Sequence, residues 1–234
     1  MPTPPSLARA RLYTFVDTGY LAGRDPAEVA RALCDGGSDL IQVRAKGMAP
    51  DGVRRLVEAV MPVIDRTGIP LVLNDHWDLA LKLGCPIVHL GQEDFFDAGF
   101  QRVEQLSPEL ETAKRPAIGL STHAPDQASR AVAAGPDYVA IGPVFPTATK
   151  PGRPAATLEY VRWAAREVNI PWFAIGGINR ITLDQVLEAG ARRICVVSDI
   201  LNAPDIAAVC REYRRRLDAV PLPVSSLRPD SQGT

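Results

Sequence analysis

The sequence predicts an α/β fold, namely an eight-stranded parallel β/α (TIM) barrel in a single domain. Apolar runs of strand length alternate with longer amphipathic segments through most of the 234 residues. Runs that are apolar almost throughout, such as residues 194–197, indicate parallel strands that are covered on both faces. Eight strands and eight helices joined by short links close into a barrel, whereas an open sheet of this size would leave edge strands.

The predicted elements alternate along the whole chain. The strands are expected at residues 12–17, 40–45, 70–75, 87–92, 117–122, 138–145, 172–178 and 193–200. The helices are expected near residues 26–35, 50–67, 77–83, 97–106, 125–134, 157–168, 181–189 and 204–217. Proline and an acid mark several helix starts, as at Asp25-Pro26, and glycines such as Gly36 mark helix ends. The barrel should therefore span residues 11–218, between flexible segments at 1–10 and 219–234.

Composition narrows the functions to consider. Hydrophobic residues make up 46% of the chain, which is enough for one large core. The formal net charge is −1 and no apolar run reaches the roughly 18 residues of a membrane span, so we expect neither nucleic-acid nor membrane partners. The N-terminus lacks a signal-peptide core, and the four cysteines are scattered without a CxxC pair, which favours structural thiols in the cytoplasm over a zinc site. A homodimer is left open.

The most informative loop follows the sixth predicted strand. After the break at Gly142-Pro143 it carries two hydroxyls and an ammonium, at Thr147, Thr149 and Lys150. Such groups at the end of a buried strand suit a phosphate. Taken alone, a proline-rich surface loop with an incidental lysine explains this loop equally well. A binding function is favoured because seven of the eight predicted strands end in polar or glycine residues, where barrels place their active sites.

Three polar side chains alternate at the end of the second strand, at Gln42, Arg44 and Lys46. Because side chains alternate across a strand, all three face one side, which we expect to be the barrel lumen and its mouth. Burying two cations there without partners would cost several kcal/mol. A bound polyanion would supply the partner; an internal layer of salt bridges is the alternative.

Two carboxylates, Asp75 and Asp94, follow adjacent predicted strands, which lie about 4.8 Å apart. One or two carboxylates together with substrate phosphates is the usual way of holding Mg²⁺, and the few neighbouring histidines disfavour zinc or iron. The alternative for both residues is a helix N-cap. A second, milder anion site is expected at strands seven and eight, from backbone N–H groups near Gly177 and Ser198. Two phosphorylated substrates, one of them a diphosphate, would satisfy both sites.

In combination these motifs resemble those of the thiamine phosphate synthase (thiamin-phosphate pyrophosphorylase) family. The resemblance covers roughly residues 11–215. It rests on Gln42-x-Arg44-x-Lys46, Asn74-Asp75, His89-x-x-Gln92-x-Asp94, Ser121-x-His123, Thr147-x-Thr149-Lys150 and Gly176-Gly177. It implies a TIM barrel that condenses hydroxymethylpyrimidine diphosphate with hydroxyethylthiazole phosphate, giving thiamine phosphate and diphosphate with the help of magnesium.

The resemblance also implies a role for each matched residue. The pyrimidine diphosphate would be held by Gln42, Arg44, Lys46, Asn74 and Lys150. Magnesium would be bound by Asp75 and Asp94. The thiazole phosphate would be positioned by Thr147, Thr149, Gly177, Val197 and Ser198. The residues expected to carry catalysis are Arg44, Lys46, Ser121 and Lys150.

The mechanism implied for the family is dissociative. Diphosphate leaves, a pyrimidine-methyl cation forms, and the thiazole nitrogen captures it. Such a reaction demands no nucleophile or general base, so positioning and charge stabilisation of the leaving group, to which Ser121 would contribute, carry the rate.

Some residues depart from the family pattern. Ala45 stands where an acid is usual, His76 where arginine is common, and Asp199 where a small residue is usual. The segment 95–116 is also longer than usual. These departures affect the expected substrate affinity more than the reaction type.

Two rival functions are considered. A thiazole tautomerase on the same barrel would use His123 as its acid and base, but it needs no diphosphate site. The set of Arg44, Lys46, Asp75, Asp94 and Lys150 therefore favours the synthase over the tautomerase. The other rival is a non-catalytic barrel that binds phosphorylated thiamine precursors, and the substitutions at Ala45 and Asp199 keep it open.

Overall fold

The structure is a computed structural model that describes residues 5–111, 114–146 and 157–222. Within these residues, eight parallel strands close into one barrel in chain order. The strands are β1 (Leu12–Asp17), β2 (Leu40–Arg44), β3 (Leu71–Asn74), β4 (Ile87–Gly91), β5 (Ala117–Thr122), β6 (Tyr138–Ile141), β7 (Trp172–Ile175) and β8 (Ile194–Cys195). The barrel closes between β8 and β1, where Ile194 pairs with Leu12. The predicted eight-stranded barrel is confirmed.

Ten helices in the described residues accompany the strands. They are α1 (Pro5–Arg9), α2 (Pro26–Asp35), α3 (Pro50–Asp65), α4 (Trp77–Leu83), α5 (Gln92–Asp97), α6 (Pro125–Ala133), α7 (Thr157–Glu167), α8 (Leu183–Glu188), α9 (Ser198–Leu201) and α10 (Ile206–Asp218). The predicted proline starts of α2, α3 and α6 are confirmed, and the Asp25 side chain caps α2 by accepting from the N–H of Ala27. None of these helices combines the length and apolar character needed to cross a membrane.

Aromatic rings fill the barrel interior. Tyr13, Tyr138 and Phe173 are buried and pack edge-on, with ring centroids 5.4 to 6.1 Å apart. Gly119 on β5 makes room for this cluster, because a Cβ there would lie 2.0 Å from Cζ of Tyr138. Side chains therefore close the lower part of the barrel interior, and within the described residues the interior opens toward the C-terminal ends of the strands.

Four of the predicted elements are wrong in extent. The strands predicted over 138–145 and 172–178 end earlier, at Ile141 and Ile175. The other two differ more. Instead of a helix over 97–106, α5 ends at Asp97, Gly99 takes a positive φ of 88°, and a 3₁₀ turn follows at Val103–Leu106. The strand predicted over 193–200 keeps only Ile194–Cys195 in the ladder, and Ser198 begins the one-turn helix α9. A glycine just past a helix end stops the helix, since only glycine adopts that conformation without strain.

The segment before β1 differs from the flexible end expected for residues 1–10. Residues 5–9 form α1, in which the side chain of Leu7 is fully buried. The guanidinium of Arg193 donates to the carbonyl oxygen of Ala8 at 2.8 Å. Apolar burial together with this bond holds α1 against the N-terminal end of the barrel.

Candidate active site

A cavity opens at the C-terminal ends of the strands, and residues of all eight strands line it. Every predicted site residue within the described part of the chain lies on its wall. These residues are Gln42, Arg44, Lys46, Asn74, Asp75, Asp94, Ser121, Gly177, Val197 and Ser198. The remaining three predicted residues, Thr147, Thr149 and Lys150, lie outside the described residues. The cavity therefore brings together predicted site residues that are up to 156 positions apart in sequence, from Gln42 to Ser198.

The two cations of the β2 end already have carboxylate partners. Nη1 of Arg44 lies 2.6 Å from Oδ2 of Asp17 at the end of β1, and both side chains are largely buried. Nζ of Lys46 lies 3.4 Å from Oδ2 of Asp75, but its side chain is 57% exposed. Arg44 therefore forms an internal salt bridge, which was the alternative to anion binding, and it also lies on the cavity wall. Lys46 is held less firmly, because an exposed ion pair contributes little.

Asp75 and Asp94 are not helix N-caps. The residue at the N-cap of α4 is His76, without a side-chain cap bond, and Asp75 itself has a positive φ of 66°. Asp94 lies inside the first turn of α5, whose N-cap is Gly91. A Cβ on Gly91 would come within 2.6 Å of Oδ2 of Asp94, so this glycine leaves the space that the carboxylate occupies. The capping alternative is therefore wrong for both residues.

His123 is a cavity residue that the sequence connected only with a rival function. It follows β5, and its Nδ1 lies 2.6 Å from the carbonyl oxygen of Gly142. Because a carbonyl oxygen can only accept, Nδ1 carries a hydrogen. The backbone N–H of His123 donates to Oε1 of Gln127 at 2.9 Å. The ring is thus anchored to the β6 loop, beside the buried Ser121.

A buried chain of hydrogen bonds lies beneath the cavity, and we call it the floor network. It consists of Gln42, Tyr13, Tyr138 and His89. Nε2 of Gln42 donates to the Tyr13 hydroxyl at 2.5 Å, the Tyr13 and Tyr138 hydroxyls are 3.1 Å apart, and the Tyr138 hydroxyl lies 3.0 Å from Nδ1 of His89. Burial raises the pKa of both tyrosines, so their hydroxyls stay protonated. Sequence reasoning missed the two tyrosines, since they read as ordinary strand residues.

The loops after β6 and β7 are joined by backbone bonds. The N–H of Val144 donates to the oxygen of Ile175 at 2.9 Å, and that of Phe145 donates to the oxygen of Gly176 at 3.0 Å. A Cβ on Gly176 would lie 2.4 Å from Cβ of Pro143, and one on Gly177 would lie 2.6 Å from Cβ of Phe145. Both glycines have positive φ. The glycine pair is thus required by loop-to-loop packing, a reason that differs from the expected close approach of a phosphate.

Two of the departures from the family pattern have a structural account. Asp199 accepts from Nε of Arg180 at 3.0 Å and from the Tyr213 hydroxyl at 2.7 Å. Its charge is therefore matched by Arg180, and it does not line the cavity. Ala45 is buried in the hydrophobic core, where an acid would be costly.

Comparisons with known proteins agree with this geometry. The family model of thiamine monophosphate synthase matches residues 12–200. A thiamine-phosphate synthase from Thermus thermophilus is 50% identical over 81% of this chain and 87% of its own length. One from Acidothermus cellulolyticus is 43% identical over 92% of this chain and 98% of its own length. The structure of a thiamine phosphate pyrophosphorylase from Pyrococcus furiosus superposes with a TM-score of 0.76 at 27% identity, over 91% of this chain and 98% of the other. This chain belongs to the thiamine monophosphate synthase family.

Proposed function

We propose that this protein is a magnesium-dependent transferase that condenses hydroxymethylpyrimidine diphosphate with hydroxyethylthiazole phosphate, giving thiamine phosphate and diphosphate. The observation that carries the proposal is one cavity whose wall combines the cations of Arg44 and Lys46 with the carboxylates of Asp75 and Asp94. The relatives named thiamine-phosphate synthase match along most of the chain, so the whole barrel and not a single motif supports this activity.

The diphosphate end of the first substrate is assigned to the wall formed by β2 to β5. Arg44 would contact the diphosphate while keeping Asp17, since a guanidinium has donors on more than one edge. Lys46 is exposed enough to turn from Asp75 toward a phosphate oxygen. Gln42, Asn74 and Ser121 add neutral hydrogen-bonding groups on the same wall. Lys150 would add a further cation from the β6 loop.

Asp75 and Asp94 would hold Mg²⁺ together with the substrate phosphates. They follow adjacent strands, and the N–H of Asp75 donates to the oxygen of His89 at 2.9 Å, which extends the β3–β4 ladder. No cluster of three or more His, Cys, Asp or Glu side chains that could hold a metal occurs among the described residues. Two carboxylates completed by phosphate oxygens form a donor set that is typical of Mg²⁺ and unlike a zinc site. When bound, the ion supplies positive charge to the leaving diphosphate.

The reaction exchanges one bond for another at the methylene carbon of the pyrimidine. The carbon–oxygen bond breaks and its electron pair leaves with the diphosphate. The thiazole nitrogen then donates its lone pair to the carbon, and the carbon–nitrogen bond forms. Neither step transfers a proton, so Arg44, Lys46 and Ser121 act by stabilising charge, and the cavity acts by holding the two reactants in line.

The phosphate of the thiazole substrate is assigned to the opposite wall. Gly177 follows β7, and Val197 and Ser198 stand at the start of α9, with all three on the cavity surface. Thr147 and Thr149 would complete this site from the β6 loop. The backbone bonds between the loops after β6 and β7 support the assignment, because they hold the two contributing segments together.

The experiment that tests the proposal is synthesis of thiamine phosphate from both substrates with Mg²⁺. We expect Asp94→Asn to lower kcat/KM about a hundredfold or more, since it removes a charge that the metal needs. Asp97→Asn is the matched control, because Asp97 is an exposed carboxylate at the other end of α5. It should leave activity unchanged.

Three results would contradict the proposed function. Product formation that persists in excess chelator would exclude the magnesium role. Isomerisation of the thiazole phosphate without any condensation would point to the tautomerase, which would use His123. Substrate binding without turnover would point to the non-catalytic barrel.

A further inference from the structure

The direction of the floor network follows if each of its buried hydroxyl hydrogens has an acceptor. The amide nitrogen of Gln42 has only hydrogens to offer, so the Tyr13 oxygen accepts from it. The hydrogen of Tyr13 then needs an acceptor; the amide nitrogen of Gln42 is not one, whereas the hydroxyl oxygen of Tyr138, 3.1 Å away, can accept it. Tyr138 in turn places its hydrogen on Nδ1 of His89, 3.0 Å away. A neutral imidazole whose Nδ1 accepts carries its hydrogen on Nε2.

The surroundings fix the two tyrosines that transmit this order. Tyr13 is 1% exposed and Tyr138 is fully buried. Both rings pack edge-on against Phe173. The Tyr138 ring also fills the space beside Gly119, where a side chain would otherwise lie. The Tyr13 and Tyr138 hydroxyls each have two partners within the network, so the hydrogen-bond order is maintained.

We propose that Tyr138 is a positioning residue of the active site, which acts through His89 by holding its imidazole as the Nε2–H tautomer. His89 and Gln42 both line the cavity, at opposite ends of the floor network. Through the network, the bond that the Gln42 amide donates to Tyr13 determines which nitrogen of the His89 imidazole carries the hydrogen. The expected effect of Tyr138 on turnover rests on the proposed function, whereas the expected tautomer of His89 is independent of it.

The tautomer can be observed directly by NMR. The chain has three histidines, so protein labelled with ¹⁵N-histidine gives three imidazole patterns, and His89→Gln identifies that of His89. The spectra are recorded where the imidazole signals no longer change with rising pH, so that they report the neutral ring. We expect the Nε2–H pattern in the unaltered protein and a shift toward Nδ1–H in Tyr138→Phe. The same variant should lose about tenfold in kcat/KM, because a buried hydrogen-bond partner is lost.

Tyr160→Phe is the matched control. Tyr160 is another buried tyrosine, but its hydroxyl contacts Oγ1 of Thr122 at 2.7 Å and lies outside the floor network. It should leave the His89 pattern and kcat/KM unchanged.

Several outcomes would overturn the proposal. They are an Nδ1–H pattern in the unaltered protein, an unchanged His89 pattern in Tyr138→Phe, and a changed pattern with unchanged kcat/KM. If Tyr138→Phe does not fold, the pattern of the unaltered protein decides. Failure to synthesise thiamine phosphate would remove the proposed function and leave the tautomer result standing.

Discussion

Arg44 shows how one side chain serves both stability and binding. Its partner Asp17 is 1% exposed, accepts from the N–H of Gly19 at 2.9 Å, and accepts from Arg44 at 2.6 Å. The carboxylate thus holds the guanidinium at the cavity wall before any ligand arrives. Pre-positioning of this kind lowers the cost of ordering a flexible side chain on binding.

The Arg44–Asp17 pair gives the first stability prediction. Asp17→Ala leaves the Arg44 guanidinium largely buried without its carboxylate, and we expect the free energy of unfolding to fall by about 3 kcal/mol. Urea denaturation measures the change. Glu28→Ala is the control, since Glu28 pairs with Arg31 on an exposed face of α2, and it should leave stability almost unchanged. Equal losses in the two variants would show that the Arg44–Asp17 pair adds nothing beyond a surface contact.

Sequence reasoning found the polar residues at the strand ends but not their partners. The alternation of Gln42, Arg44 and Lys46 follows from the backbone of a single strand, so it can be read locally. The bond between Tyr138 and His89 joins β4 and β6, which flank β5, inside the barrel, and no local pattern records this contact. The partner of Asp199 depends likewise on α10, where Tyr213 lies 14 positions away in sequence.

At the scale of elements, the loops after β6 and β7 behave as one unit. Their backbone bonds continue the strand pairing beyond Ile141 and Ile175, and glycines stand where the two segments touch. A Cβ on Gly142 would lie 2.0 Å from the oxygen of Ile175, which leaves no space for any side chain. This close contact fixes the distance between the parts of the cavity wall that follow β6 and β7.

Gly176 provides a test of this contact between the loops. Gly176→Ala forces a residue with a side chain into a φ of +100° and against Pro143, so we expect the loops to separate and kcat/KM to fall by about a hundredfold. Gly99→Ala is the control, because Gly99 has a φ of +88° but nothing within 4 Å of its Cβ position. It should cost about 1 kcal/mol of stability and spare turnover. A Gly176→Ala enzyme with full activity in the thiamine phosphate assay would contradict the role given to the contact.

The element boundaries were predictable where capping chemistry is local. Proline at the first position sets the starts of α2, α3 and α6 as expected. The helix predicted over 97–106 is wrong because the prediction gave the amphipathic pattern more weight than Gly99. The last residue of α5 is Asp97, and Gly99, two positions later, takes a positive φ that a helix does not allow. In this segment Phe95 stacks on Phe100 at 5.6 Å, so the apolar residues are buried by a folded-back loop and not by one helix face.

At the scale of the whole molecule, one barrel supplies one continuous core. The interior aromatic cluster and the layer between strands and helices join in a single set of contacting buried residues, from Leu7 to Leu217. The barrel could be predicted from alternation alone, because eight strands leave no unpaired edge only when the sheet closes. The cavity follows from the same closure, since it collects the C-terminal ends of all the strands.

A single core implies that the molecule unfolds as one unit, and its cysteines can report this. Cys85, Cys195 and Cys210 are at most 3% exposed, and lie before β4, in β8 and in α10. Burial raises the pKa of these thiols, to about 11 for Cys85 and about 12 for Cys210, so they are protonated and shielded from reagents. Cys34 is only partly buried. We therefore expect one thiol per chain to react with a disulfide reagent in the native protein, and none in Cys34→Ser.

In increasing denaturant, the three buried thiols should lose protection together, at the concentration where the barrel unfolds. The reason is that Cys85 and Cys195 belong to opposite halves of the chain, yet both pack into the same core. Mass spectrometry of the labelled peptides resolves the three sites. If Cys85 reacted at a clearly lower concentration than Cys195 and Cys210, the first half of the barrel would open independently, and the description as one cooperative domain would fail.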